Sequence, residues 1–346
     1  MSCRTRLTWL IVFTLPASAA RAQVALGEEL SLSGSADVFF QHANERTSVA
    51  LSQYQLEIDY DHEKSGLFSH VELEGRGYDV FANDQADKNQ FRLEAAFLGY
   101  HFDFGLDLKV GRFISPSGYE GAEPWRRFTR LTAFGGIFSY LHNGVALQYK
   151  SLPIPAGGTD LFLVAYGSFM DGAWTGDVDL EDPSFEALVG FDWGGLSFRA
   201  DLAFERINDN GDPDLVDQNR TLVNVWAQYT LGPLAIAAEY NRMDEIAGFD
   251  DGLWSGDAAL LFAKFSFTRN WALGLRGSFA RYEDRDGDEL FDSKEIAVTP
   301  RWQIFDRVTE GVDWDVRADV RFQIDTDAIQ GFEDGVIFEL GTTFRY

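Results

Sequence analysis

The chain has 346 residues, with 29 Lys+Arg against 55 Asp+Glu and a formal net charge of −26. Its 45% hydrophobic and 15% aromatic content excludes a disordered chain, and the acidic excess excludes a nucleic-acid binder, which needs a basic stripe. The one cysteine, Cys3, excludes a disulfide scaffold, and past the first residues no run approaches the ~18 apolar residues of a membrane-crossing helix.

The first residues read as an export signal. Arg4 and Arg6 give a short positive region, Leu7 to Leu15 an apolar core, and Ala20-Arg21-Ala22 a small-residue cleavage site. Residues 1–22 are expected to be removed, leaving residues 23–346 as one unit without cysteine. An exported, cysteine-free, acidic chain points to the envelope of a Gram-negative bacterium.

From there the chain alternates. Segments at 30–41, 49–60, 67–78, 91–102, 105–113, 143–150, 159–168, 184–193, 195–206, 221–230, 233–242, 257–268, 270–282, 294–304, 313–325 and 336–346 read as strands with one apolar face. In 313–325, Trp314, Val316, Ala318, Val320, Phe322 and Ile324 oppose Asp315, Arg317, Asp319, Arg321 and Gln323. In the last segment Val336, Phe338, Leu340, Thr342, Phe344 and Tyr346 oppose Glu339, Gly341, Thr343 and Arg345. The segments 91–102 and 257–268 carry apolar residues on both faces. The charged face cannot enter a dry core, and the apolar face cannot meet water uncovered. Either a second sheet or lipid must cover it.

The connections decide between the two. Short ones (Asp103-Phe104, Gly194, Thr230 to Gly232, Arg269) alternate with long ones at 79–90, 114–142, 169–183, 207–220, 243–256, 283–293 and 326–335. A soluble sandwich has no reason for that order, whereas an up-and-down membrane barrel has short turns on one side and long loops on the other. A closed barrel also gives every backbone N–H and C=O a partner where there is no water. Tyr54, Tyr60, Tyr100, Tyr240, Trp271, Trp302 and Trp314 fall at strand ends, as interfacial girdles require. The fold class expected is all-β: a transmembrane antiparallel up-and-down β-barrel of about 16 strands.

The closing alternation with its terminal aromatic, Phe344 to Tyr346, resembles the insertion signal of bacterial outer-membrane barrels. Sixteen strands, with the longest connection after the fifth, resemble the general diffusion porins, in which that loop folds inward and narrows the pore. The stretch Leu108-Lys109-Val110-Gly111-Arg112-Phe113-Ile114-Ser115-Pro116-Ser117-Gly118-Tyr119-Glu120 resembles the phosphate-selective porins and the related β-barrel porin group, but no Lys-rich constriction accompanies it. The resemblance implies passive passage of small hydrophilic solutes through the outer membrane, contact with lipid and lipopolysaccharide, and assembly as a homotrimer. The alternative is an adhesin or a structural barrel.

Within such a barrel, Lys109, Arg199, Arg276, Arg301, Arg317 and Arg321 are expected on the pore wall, together with Asp201 and Asp319. The long loop supplies Glu120, Glu123, Arg126, Arg127 and Arg130 to the constriction, where the three arginines favour small anions or form ion pairs with the two glutamates. No cofactor is expected beyond Ca²⁺ in an outer loop. There Asp284, Asp286, Asp288, Asp292 and Glu295 occupy positions 1, 3, 5, 9 and 12 of a calcium loop, with Glu289 where glycine belongs. Five histidines and no G-x-S-x-G stretch give no enzyme motif.

Overall fold

The computed structural model describes residues 24–25, 29–43, 46–76, 91–116, 118–119, 141–170, 184–207, 218–247, 253–284, 289–305, 313–324 and 335–345. Residues 1–22, the expected export signal, lie outside these.

All regular structure among them is strand. Two short pieces are β1 (Val24–Ala25) and β8 (Ile154–Ala156). The long strands of the first half are β2 (Leu30–Ala43), β3 (Arg46–His62), β4 (Leu67–Arg76), β5 (Phe91–Phe102), β6 (Leu106–Ile114), β7 (Leu141–Lys150) and β9 (Thr159–Met170). The second half adds β10 (Ser184–Trp193), β11 (Leu196–Ile207), β12 (Gln218–Leu231), β13 (Leu234–Ala247), β14 (Leu253–Ser266), β15 (Trp271–Asp284), β16 (Glu289–Phe305), β17 (Asp313–Ile324) and β18 (Gly335–Arg345). Each of the sixteen alternating segments is one of these long strands.

Every long strand pairs antiparallel with the next, β7 pairs with β9, and β18 returns to β2 through Leu340↔Phe40 and its neighbours. The ring closes, so no long edge is left to recruit another strand. β1 pairs with β2 at Val24↔Leu32 and extends the line of β18 past Ser35, while β8 extends the hairpin of β7 and β9.

One end of the ring carries tight turns. Gly194-Gly195 joins β10 to β11, and Gly194 has φ 56°, a left-handed turn position that glycine fills without a Cβ clash. The other end carries the long connections, with one exception: β2 and β3 pair up to Ala43↔Arg46. Two connections are shorter than expected. β13 and β14 run on to Ala247 and from Leu253, and β15 and β16 run on to Asp284 and from Glu289. The sequence does not alternate there, yet the backbone ladder continues.

The outward face is apolar and exposed: Leu98, Val110, Leu147, Val189, Leu202, Leu261, Leu275 and Ile296 all stand open around the ring. At the short-turn end it finishes in aromatics, with Trp271 and Trp302 stacked at 5.4 Å and Phe265 edge-on to Phe267 at 4.9 Å. Such a band needs a hydrocarbon cover. Trp314 and Tyr240 belong to the same outward face, so the girdle expectation holds for described side chains.

Candidate functional site

The inward face is the reverse of the outward one. Arg276 on β15, Glu295 on β16, Arg321 on β17 and Glu339 on β18 point into the ring and are buried. Arg276 pairs with Glu295, Arg321 donates to Glu339 at 3.1 Å, and a second Arg321 nitrogen lies 4.0 Å from Glu295. Nearer the short-turn end, Thr299 donates to Asp319, Arg317 to Thr343 at 3.2 Å, and Arg301 to Asp315 at 2.8 Å. Four wall arginines are thus each locked to an acceptor across a strand boundary. The expected wall residues Lys109 and Arg199 also face inward: Lys109 donates to Gln148 at 3.1 Å, and Arg199 grips Asp192 and lies over Trp226 at 5.4 Å.

The inward run begins at Gly111. Its φ is 134°, and a Cβ there would sit 2.3 Å from the Ala96 carbonyl oxygen, so only glycine allows this bend near the end of β6. Phe113 then packs inside the ring with Ala146, Tyr166 and Leu188. Ser115 donates to Glu186 on β10 at 2.5 Å. The Gly118 N–H meets Asn224 on β12 at 3.4 Å, and the Tyr119 N–H meets Glu239 on β13 at 3.2 Å. Asn224 is itself held by Glu239 and Asn241, both at 2.6 Å. The Tyr119 ring ends against Trp226 at 5.7 Å and Phe262 of β14 at 6.1 Å. The chain therefore runs inside the ring from β6 as far as β14.

In the half nearer the long loops, Glu74, Glu94, His142, Glu205, Met243, Arg276 and Arg321 are fully buried although they face inward. Glu205 accepts from Arg220 at 2.6 Å. Nearer the tight turns the Asp59 and Arg301 side chains are 44% and 26% exposed, while Thr299, Asp315, Arg317 and Thr343 are buried.

His142 lies 3.3 Å from Glu186, whose other oxygen takes the Ser115 hydroxyl. The carboxylate stands between hydroxyl and imidazole, so the imidazole cannot take the serine proton as a hydrolase triad requires. This group fastens the inward run to β10 instead.

Of the loop residues expected at the constriction, Glu120, Glu123, Arg126, Arg127 and Arg130 all lie outside the described residues. For the calcium loop, Asp286 and Asp288 lie outside them, and Asp284 is the last backbone position of β15. Asp292 and Glu295 do not converge. Asp292 shares the outward face with Lys294, which donates to it at 2.8 Å, while Glu295 is inside the ring with Arg276. Three residues apart on a strand means opposite faces, so the helix-loop spacing does not carry over to a hairpin.

Reading residues alone missed Tyr119 as an anchor, its receptors Asn224 and Glu239, and the inward cation Lys264. The signal was in the segment 257–268, where apolar residues occupy both faces. Leu260 and Phe262 face inward as part of the apolar cluster against which Tyr119 packs.

The comparisons agree with this geometry. The family model described as Putative beta-barrel porin-2, OmpL-like, matches residues 30–340. Among solved structures, OmpF of Salmonella typhi superposes with a TM-score of 0.66 at 14% identity, covering 94% of this chain and 100% of that one. OmpT expressed in the outer membrane of Vibrio cholerae gives 0.62 at 12% identity, covering 93% and 100%. The anion-selective porin from Comamonas acidovorans gives 0.59 at 15% identity, covering 92% and 98%. Comparison with curated proteins finds no match.

Proposed function

The chain belongs to this β-barrel porin family and forms an outer-membrane channel, and we propose that it passes small hydrophilic solutes passively, sorts them by size where the lumen narrows, and works as a homotrimer. The observation that carries the reading is the run from Ser115 to Tyr119, seated on β10, β12, β13 and β14 inside a closed ring. A segment fastened at four strands holds a fixed aperture, which is what a size filter needs. The wall arginines favour neither ion strongly, because Glu295, Glu339 and Asp315 offset Arg276, Arg321 and Arg301 at close range. The trimer rests on likeness to porins, one of which, OmpT of Vibrio cholerae, is described in a trimer form.

Liposome swelling tests the reading. Vesicles carrying the protein should swell in small sugars, and the rate should fall steeply as the sugars grow. Swelling no faster than in protein-free vesicles, with the barrel folded, would leave an adhesive or structural barrel.

A further inference from the structure

Near the tight-turn end the inner wall holds a recess of about 350 Å³, lined in part by Gly232, Pro233 and Leu234. Its polar lining includes Lys264, Arg301, Gln228 and Ser266, and its apolar lining includes Tyr119 and Phe262. Among the described residues no carboxylate lines it. That is a local inversion in a chain with 55 acids and 29 bases.

The register explains the shape. Lys264 on β14 is paired across from Gly274 on β15, and Arg301 on β16 is paired across from Ala272 of the same strand. Only a hydrogen and a methyl stand on the inner face of β15 between the two cations, so no bulky side chain separates them. Arg301 already gives one nitrogen to Asp315 at 2.8 Å. A guanidinium has five N–H donors in a fork that fits a carboxylate, and a lysine adds a compact charge beside it. Beside Lys264, two residues back on the same face of β14, the recess is aromatic: the Phe262 ring lies 6.1 Å from that of Tyr119, inclined at 47°. Tyr119 arrives from the inward run, so the recess exists because the constriction segment reaches this wall.

Two cations beside two rings, with neutral amide and hydroxyl groups at the rim, fit a particular solute. We propose that the recess is a transient binding site for small organic carboxylates that carry a planar apolar ring, of the benzoate kind. The carboxylate lies against Arg301 and Lys264 and the ring against Phe262 and Tyr119. This deepens the porin reading and rests on it. A bare inorganic anion engages the cations alone and gains nothing from the rings. An uncharged ring compound engages the rings alone. Binding must stay weak, because a channel site has to release what it captures.

The test is single-channel recording of residues 23–346 in a planar bilayer, with chloride exchanged at constant ionic strength for benzoate, acetate or phosphate. Benzoate should lower the current in a saturable way, at a concentration about tenfold or more below that needed for acetate or phosphate. Lys264→Gln and Arg301→Gln should each weaken the benzoate effect about tenfold. Phe262→Leu should bring benzoate close to acetate while leaving the acetate effect in place. Chloride current from each variant confirms that it has folded and inserted. Equal effects of benzoate and acetate in a conducting channel, or a benzoate effect indifferent to Lys264→Gln and Phe262→Leu, overturn the site. Absence of chloride current from the unaltered protein overturns the porin reading itself.

Discussion

The grip of Tyr119 on the far wall should control the aperture. Tyr119→Ala removes two ring contacts, to Trp226 at 5.7 Å and to Phe262 at 6.1 Å, each worth about 0.5–1.5 kcal/mol. Burial of the half-exposed ring adds about 1–2 kcal/mol. The backbone N–H to Glu239 survives, since alanine keeps it. The anchor therefore weakens by about 2–5 kcal/mol, or roughly 30- to 5000-fold in the ratio of seated to unseated segment. The barrel ladder is untouched, so heat resistance in detergent should hold. Single-channel recording should show a larger mean conductance with more current noise, and liposome swelling should admit larger sugars than the parent does. A variant with the parent's conductance and the parent's size cut-off would refute the seating of this segment as the filter.

Three further outcomes follow from the wall. Leu261→Arg puts a charge on the outward face at 62% exposure, and its cost in unfolding from lipid vesicles should be about 2–4 kcal/mol; a loss as small as that of a loop substitution would move Leu261 out of hydrocarbon. Arg276→Met removes the guanidinium paired with the buried Glu295, leaving Arg321 at 4.0 Å, and should cost about 3–5 kcal/mol by denaturant unfolding. The pair Arg276→Met with Glu295→Leu should recover most of it, and simple additivity of the two changes would show that no coupling exists. Glu295→Gln should leave any calcium heat of the folded protein unchanged by calorimetry, because Glu295 is inside the ring while Asp292 is outside; a loss of that heat would place the two in one site.

Much of the barrel was legible because its two faces meet different solvents. Water inside and hydrocarbon outside impose a period of two on every strand, and 313–325 shows it without a break. Some strand ends were not legible: at Glu289 to Phe291 and Leu253 to Ser255 the sequence shows no alternation, although the backbone pairing continues through them. The wall arginines were visible by parity, but their partners were not. Glu295 and Arg276 are 19 residues apart and meet only through the register of β15 and β16. The inward run was suggested by Gly111 and by the length of the connection after β6. Its destination was hidden, because Asn224, Glu239 and Phe262 sit on strands far along the chain and look like ordinary wall residues. The calcium spacing falls across a hairpin, where Asp292 and Glu295 take opposite faces of β16, while Asp286 and Asp288 lie outside the described residues.

The central claim is that the ring's apolar side meets hydrocarbon and its polar side meets water. The most direct measurement is spin-label accessibility on residues 23–346, which contain no cysteine. Single cysteines in place of Val189, Leu261 and Leu98 on the outward face and Lys264 on the inward face would be labelled in lipid vesicles. The outward labels should collide freely with oxygen and hardly at all with a water-soluble nickel chelate, and the inward label should do the reverse. Outward labels as open to the nickel chelate as the inward one would contradict the account.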